Sequence, residues 1–172
     1  MIKMKTRLLP FVLLVFSACS PDSEQSCTKE IPSTVWTSLD QTKLQSDIQA
    51  IDNYLDSKSI TAVEDPSGLR YVITQAGSGE GPCLESRVSV KYTGKFFSNE
   101  NIFDTSAKPP ADDPVSFSLT GVITGWQIGF LKLNRGTKAT LYIPSGLAYG
   151  PSGYLDIPPN AILIFDVELI AF

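Results

Sequence analysis

The side chains of this sequence that are able to do chemistry lie in five short blocks in its second half. The blocks combine aromatic rings with hydroxyls and a carboxylate. They read Tyr92-Thr93-Gly94, Phe103-Asp104-Thr105-Ser106, Val122-Ile123-Thr124-Gly125-Trp126, Ala148-Tyr149-Gly150 and Ile157-Pro158-Pro159-Asn160-Ala161, the last leading into Phe165-Asp166-Val167-Glu168-Leu169. The chain has no histidine, which excludes Ser-His-Asp and Cys-His catalysis and zinc held by histidine. Any enzymatic activity must therefore come from carboxylates, hydroxyls, backbone amides or the shape of a pocket.

Composition narrows the range of partners. Hydrophobic residues make up 42% of the 172 residues and charged residues 19%, which indicates a folded domain with a packed core. The net charge of −4 and the lack of a basic run argue against nucleic-acid binding, because neutralising phosphates needs clustered Lys and Arg. The Gly-rich stretch 76–82 precedes a strand and not a helix, so it is predicted to be a loop and not a phosphate cradle. We expect no metal and no cofactor.

Residues 1–18 are predicted to be a targeting segment. Three basic residues precede a nine-residue apolar stretch, 8–16, which is too short to span a bilayer core of about 30 Å. The following Phe16-Ser17-Ala18-Cys19 resembles a bacterial lipobox, which implies a lipid such as palmitate on Cys19 and a mature chain of charge −7, since three cations and no acid leave with the leader. Plain secretion with cleavage nearby is the alternative. Ser20, in place of the Asp that retains many lipoproteins at the inner membrane, favours the outer membrane of the bacterial envelope.

Two further cysteines, Cys27 and Cys83, follow the leader. In the oxidising compartment that the leader implies, such a pair favours a disulfide. The bridge would tie the segment after the leader to the main domain, and it would remove about 4 kcal/mol of unfolded-state entropy in the chain-entropy model. Two free thiols are the alternative.

The residues between the leader and the domain fall into two segments. Residues 19–37 are polar and are predicted to form a flexible tether. Residues 38–60 predict an amphipathic helix, begun by Ser38 or Asp40, because apolar residues recur at helical spacing. These apolar residues are Leu44, Ile48, Ile51 and Leu55. The stripe is too short for a convincing dimerisation arm, so we expect the helix to pack on the domain of a monomer. Pairing with another chain is the alternative.

Residues 61–172 are predicted to form one α+β domain. After a turn at residues 65–68, apolar and polar residues alternate with a period of two, which indicates half-buried strands. The alternating sets are Leu69, Tyr71 and Ile73; Val88, Val90 and Tyr92; Val115, Phe117 and Leu119; and Ala139, Leu141 and Ile143. Residues 162–170 are nearly all apolar and predict a central strand. With one short helix at about 124–133, the pattern predicts an antiparallel sheet with a helix across one face.

In their order and near their spacing, the five blocks resemble the FKBP family of peptidyl-prolyl cis/trans isomerases, or rotamases. The resemblance covers residues 67–172. It implies the family's fold, a twisted antiparallel β-sheet wrapped around one short α-helix, with an apolar cavity between helix and sheet. It also implies the family's activity, the isomerisation of X–Pro bonds in proline-containing polypeptides. This reaction needs no nucleophile, so the missing histidine is no obstacle.

The resemblance assigns residues to the cavity motif by motif. It implies catalytic roles for Asp104, the Tyr149 hydroxyl and the backbone N–H of Ile123. The residues that it implies for substrate binding are Tyr92, Phe103, Val122, Trp126, Ile157 and Phe165, with Trp126 as the floor and Ile157 at the rim.

The sequence departs from the family pattern at the rim of this cavity. The loop after Asp104 lacks the Arg that pairs with this Asp in some members, so Asp104 is either less constrained or partnered by Lys108. Tyr154 stands about where a His can occur. We expect these differences to bear on substrate preference more than on activity.

The leader and the domain together predict an isomerase that assists the folding of exported proteins in the bacterial envelope. The alternative is a non-catalytic chaperone or proline-peptide-binding module that uses the same pocket. The presence of Asp104, Tyr149 and Trp126 favours the enzyme. A purely structural envelope protein would not need the ordered blocks.

Overall fold

The computed structural model describes residues 27–108 and 112–172, so the predicted leader and Cys19 lie outside the described residues. The helices are α1 (Thr34–Thr37), α2 (Gln41–Ser57) and α3 (Thr124–Phe130). The strands are β1 (Val63–Glu64), β2 (Arg70–Gln75), β3 (Arg87–Phe96), β4 (Ile102–Thr105), β5 (Val115–Ser118), β6 (Lys138–Ile143) and β7 (Leu163–Ala171). Within the ranges described, no helix has the length and apolar character needed to cross a membrane.

The strands form one antiparallel sheet in the order β1-β2-β6-β7-β3-β4, and β5 also pairs with β3. β7 lies between β6 and β3 and is the predicted central strand. The ten residues of β3 make it long enough for two partners on its outer edge, β5 along residues 87–90 and β4 along residues 93–95. The predicted fold class is confirmed, although the alternation pattern predicted neither β1 nor β4.

One face of the sheet packs against α3. Gly125 and Gly129, one helical turn apart, allow α3 to approach β6 closely. A Cβ on Gly125 would overlap the side chain of Ile143, and one on Gly129 would lie 2.8 Å from a methyl carbon of Leu141. The close approach brings Phe130 into the centre of the core, where it is fully buried. α3 ends at Phe130, three residues earlier than the sequence predicted.

The opposite face of the sheet is covered by α2. Ile51 and Leu55 pack against Tyr142 of β6 and Ile164 of β7 in a second apolar cluster. This packing agrees with the prediction that the amphipathic helix lies on the domain. The helix begins after Asp40 and ends at Ser57, so it is three residues shorter at each end than the predicted 38–60.

Polar side chains determine where α2 starts and which of its faces is buried. Asp40 caps the helix by accepting a hydrogen bond from the Lys43 N–H at 3.1 Å. The buried stripe of the helix contains Asp47 beside Leu44, where the sequence pattern had placed Ile48. The carboxylate of Asp47 faces the chain that follows β6, as described below.

A half-buried ion pair joins α2 to β2. Arg70 donates to both carboxylate oxygens of Asp52 at 2.8 and 3.1 Å, and Glu64 lies 3.4 Å away on β1. Arg70 is therefore only 7% exposed, whereas Ile73 is 45% exposed. The alternation predicted the reverse for both residues, because the partner of Arg70 comes from a helix that the strand pattern does not register.

The chain from Cys27 to α1 lies against the domain and not apart from it. Cys27 and Cys83 form a disulfide, and the Thr28 carbonyl accepts from the Leu84 N–H at 2.8 Å. Ile31 and Trp36 of the same segment pack on the main core. This part of the chain differs from the predicted tether, because two apolar side chains and a bridge outweigh its polar composition.

Candidate functional site

A cavity of about 390 Å³ opens between α3, the sheet and the loop that follows β6. Its walls are largely aromatic and come from six different parts of the chain. The lining residues are Tyr92, Phe103, Asp104, Phe117, Gly121, Val122, Ile123, Trp126, Tyr149, Tyr154 and Phe165. The antiparallel pairing of β3 with β4, β5 and β7 brings the first, second and last of the five sequence blocks to one place.

Trp126 is buried at the bottom of the site and, like Phe165, is 4% exposed. Its ring meets those of Tyr92, Phe117 and Phe165 edge to face, with centroids 5.2–5.5 Å apart. Edge-to-face contact suits the negative face and positive edge of aromatic rings. The buried Nε1–H of Trp126 has no hydrogen-bond acceptor in the described ranges. The floor of the cavity is thus an apolar surface held by ring contacts.

One wall of the cavity depends on a glycine. The rings of Phe103 and Phe165 meet edge to face at 5.6 Å directly over Gly94 of β3. A Cβ at Gly94 would lie 2.7 Å from the ring of Phe103 and 2.8 Å from that of Phe165. A side chain at this position would therefore displace the wall.

The polar group at the open side of the cavity is the pair of Tyr92 and Asp104. The Tyr92 hydroxyl donates to the Asp104 carboxylate at 2.6 Å, and the second carboxylate oxygen accepts from the Thr105 N–H at 2.9 Å. Burial and this hydrogen bond raise the pKa of Tyr92, so the hydroxyl keeps its proton at neutral pH. In the ranges described, Lys108 is not a partner of Asp104, and the place of the expected cation is taken by a tyrosine.

Two further hydrogen-bond donors line the cavity. Neither the Ile123 N–H, just before α3, nor the Tyr149 hydroxyl has an acceptor in the described part of the chain. Burial, and then the nearby Tyr154 and Asp104, raise the pKa of Tyr149, which also keeps it protonated. The cavity therefore combines an apolar floor with two donors able to hold carbonyl oxygens.

The loop after β6 forms the remaining rim. Tyr149 and Tyr154 stack with centroids 5.2 Å apart and planes 11° apart. Tyr154 and Ile157 exchange both backbone hydrogen bonds, at 3.0 and 2.8 Å, which closes a two-residue hairpin. Leu155 at its tip has φ +49° and is 87% exposed.

The structure brings together all of the predicted cavity residues except Ile157. The hairpin turns Ile157 inward, where it is buried in the main core and does not line the cavity. Two lining residues were missed. Phe117 alternates within β5 and reads as ordinary core, and Gly121 has no side chain to signal a role. The predicted lipidation site, Cys19, lies outside the described residues. Among the residues described, no group of three or more His, Cys, Asp or Glu could hold a metal ion.

Comparison with known proteins gives one consistent answer. The model of the family described as FKBP-type peptidyl-prolyl cis-trans isomerase matches residues 79–170. The chain is 43% identical over 104 residues to the FKBP-type peptidyl-prolyl cis-trans isomerase FkpA of Escherichia coli strain K12, covering 60% of this chain and 37% of the relative. It is 41% identical over 106 residues to the peptidyl-prolyl cis-trans isomerase Mip of Coxiella burnetii, covering 61% of this chain and 45% of that protein.

A solved structure gives the same result. The crystal structure of a peptidyl-prolyl cis-trans isomerase from Pseudomonas syringae pv. tomato superposes with a TM-score of 0.62 at 32% identity, covering 74% of this chain and 93% of that one. By contrast, the chain spans less than half the length of the two curated relatives named above. The likeness to those two relatives is thus a likeness to one part of each.

Proposed function

This chain belongs to the FKBP-type peptidyl-prolyl cis-trans isomerase family, and on that premise we propose that it catalyses cis/trans isomerisation of X–Pro bonds in polypeptides. One observation carries the proposal. The aromatic cavity has the buried Trp126 as its floor, and its polar groups include the Tyr92–Asp104 pair and two donors that have no acceptor among the described residues. Isomerisation of an X–Pro bond needs such a surface and fixed donors, and it needs no nucleophile.

The apolar floor accounts for the main part of the rate increase. Amide resonance gives the X–Pro bond a rotational barrier of about 18–20 kcal/mol, and uncatalysed exchange takes about 10–100 s. The planar amide is more dipolar than the twisted transition state, so transfer from water to an aromatic surface favours twisting. Proline over the ring of Trp126 would place the reacting bond in that surface. An acceleration of about 10⁵ requires about 7 kcal/mol at 1.36 kcal/mol per decade.

The polar groups would orient the substrate. The Ile123 N–H and the Tyr149 hydroxyl, which have no acceptor among the residues described, would donate to carbonyl oxygens on either side of the proline. Asp104, held by Tyr92 at 2.6 Å, would face the carbonyl that leaves the amide plane. Fixed dipoles of this kind act without reorganisation during the reaction, which is why they favour the transition state over the ground state.

We propose that the protein acts in the bacterial envelope. The leader and the lipobox-like Phe16-Ser17-Ala18-Cys19 support export and a lipid on Cys19. The disulfide between Cys27 and Cys83 is compatible with an oxidising compartment. Exported polypeptides that await folding would then be the substrates, and the lipid would hold the enzyme at the membrane, with the outer membrane favoured by Ser20.

The isomerase proposal is tested by proline exchange in a short peptide. The full chain is purified, and the cis/trans exchange rate of an X–Pro peptide is measured by NMR exchange spectroscopy, with Trp126→Ala as the variant that removes the floor. We expect exchange to rise in proportion to the wild-type concentration and to fall sharply with the variant. Peptide binding without faster exchange would instead identify the non-catalytic binding module.

The anchor is tested separately by mass and by fractionation. We expect the mature wild-type chain, expressed in a bacterial host, to begin at Cys19 with the mass of an attached lipid and to sediment with membranes. Cys19→Ala should abolish both properties. An unmodified wild-type chain in the soluble fraction would show plain secretion.

A further inference from the structure

The family match begins at residue 79, yet a side chain of α2 reaches the loop that carries Tyr149. Asp47 is 1% exposed. One of its carboxylate oxygens accepts from the Ser145 N–H at 2.9 Å and from the Ser145 hydroxyl at 2.5 Å. The other pairs with Lys43 on the same helix. Asp47 and Ser145 are 98 positions apart in the sequence, and their hydrogen bonds join α2 to the chain just after β6.

Ser145 is the first residue of a short connection to Tyr149. It opens a 3₁₀ turn, Ser145–Leu147, and its carbonyl accepts from the Ala148 N–H at 3.0 Å. Tyr149 follows directly. Asp47 therefore holds the start of the turn that ends two residues before Tyr149.

The start of α2 supports the same turn from a second side. A Cβ on Gly146 would lie 3.1 Å from a methyl carbon of Leu39, so the turn and the residue before the helix are in close contact. A crevice between them is lined by both segments. Leu39 and Asp47 together leave the turn little freedom to shift on this side.

Stability alone does not explain a carboxylate in this position. Burying a charge is costly even when it is paired, and apolar residues of similar volume often serve as well or better. What the carboxylate supplies is direction, because it accepts two hydrogen bonds from one residue at a defined place. We propose that Asp47 is a positioning residue for catalysis, which holds the Tyr149 hydroxyl at the cavity through Ser145. This inference rests on the proposed isomerase function.

The first test compares two anchors of the same helix. Asp47→Ala removes the contact to Ser145, whereas Asp52→Ala removes the ion pair to Arg70 on β2 and leaves the Ser145 contact in place. In the full chain we expect Asp47→Ala to lower kcat/KM about 10- to 100-fold, the usual cost of a small misplacement. Asp52→Ala should lower the unfolding midpoint while kcat/KM per folded molecule stays unchanged. Equal kcat/KM losses in the two variants would overturn the proposal.

The second test asks whether Asp47 acts through the Tyr149 hydroxyl. In a double-mutant cycle with Tyr149→Phe, we expect the effect of Asp47→Ala on kcat/KM to shrink to near onefold, because coupled residues are not additive. Asp47→Asn keeps one acceptor for Ser145 and should restore most of the activity. An Asp47→Ala effect of undiminished size in the Tyr149→Phe background would mean that Asp47 acts elsewhere. If Asp47→Ala does not fold, Ser145→Ala takes its place in the cycle, since it deletes only one of the two hydrogen bonds.

A readout without turnover separates this proposal from the function on which it rests. In a chain with labelled tyrosine rings, we expect Asp47→Ala to shift the NMR signals of Tyr149, whose ring is stacked on Tyr154, and Asp52→Ala to leave them in place. Wild-type protein without isomerase activity would refute the proposed function while the ring signals still report the contact. Unshifted Tyr149 signals in Asp47→Ala would refute the positioning role whatever the activity.

Discussion

Removal of the disulfide gives a prediction whose size follows from the chain itself. Cys27 and Cys83 are 56 residues apart. Opening a loop of that length returns about 14 cal/mol/K of entropy to the unfolded chain, or about 4 kcal/mol at 25 °C. Small proteins have a total free energy of unfolding of only about 5–15 kcal/mol, so this one covalent bond is a large part of the stability.

The assay is urea unfolding of the wild type and of the double variant Cys27→Ala/Cys83→Ala. With a slope near 2 kcal/mol/M, a loss of about 4 kcal/mol lowers the unfolding midpoint by about 2 M. The slope itself should rise, because an unfolded chain without the cross-link exposes more surface. Activity per folded molecule should stay the same, because neither cysteine lines the cavity.

Reductant provides the control for this prediction. The wild type in reductant should unfold at the midpoint of the double variant, and the double variant should not respond to reductant. Wild-type curves that coincide with and without reductant would refute the reasoning, because they would mean that the two thiols are free in the protein.

Three further predictions concern the cavity and the tyrosines. Asp104→Ala and Tyr149→Phe should each lower kcat/KM by about tenfold or more, which is the worth of a hydrogen bond to a charged or polarised group. The urea midpoint should stay nearly unchanged. Extensive unfolding of either variant would instead mean that the residue belongs to the core. Gly94→Ala should cost about 1–3 kcal/mol in urea unfolding, because its methyl would lie 2.8 Å from the buried ring of Phe165, and unchanged stability would mean that the wall yields. Burial raises the pKa of Tyr54 to about 12 from about 10 in the unfolded chain. The contribution of Tyr54 to stability is therefore complete below pH 10 and is lost as the pH rises towards 12. The urea midpoint should be lower at pH 11 than at pH 9.

The part of the fold that depends on local pattern could be predicted from the sequence. The alternation in β3 and β6 and the apolar run of β7 identify half-buried and central strands because side chains in a strand point to opposite faces. β4 was not predicted, because its residues Ile102-Phe103-Asp104-Thr105 do not alternate between apolar and polar. Its place in the sheet comes from pairing with β3, which a local pattern does not encode.

Residues whose environment comes from distant parts of the chain could not be predicted. Asp47 lies on the buried stripe of α2 because Ser145, 98 residues away, donates two hydrogen bonds to it. Arg70 is buried because Asp52 on a helix neutralises it. In both cases the polar residue type indicated the solvent face, and the partner that reverses this is visible only after folding.

The residues that line the cavity were predicted from the resemblance and not from the periodicity of the sequence. Periodicity alone makes Trp126 a core residue, and the family's motif order makes it a cavity floor. Ile157 marks the limit of this reasoning. The motif places it at the rim, but the two-residue hairpin from Tyr154 turns it inward and exposes Leu155 instead. The length of the loop sets this geometry, and the order of the motifs does not encode it.

The boundary of the functional unit differs from the boundary of the family match. Residues before 79 supply β2, which pairs along β6, and α2, which covers Tyr142 and Ile164 on the outer face of the sheet. Without them, β6 would present an unpaired edge and the sheet a bare apolar face, and both features favour aggregation. The contact of Asp47 with Ser145 adds a functional reason to the structural one. If Asp47 positions Tyr149 as proposed, the segment before residue 79 belongs to the catalytic unit.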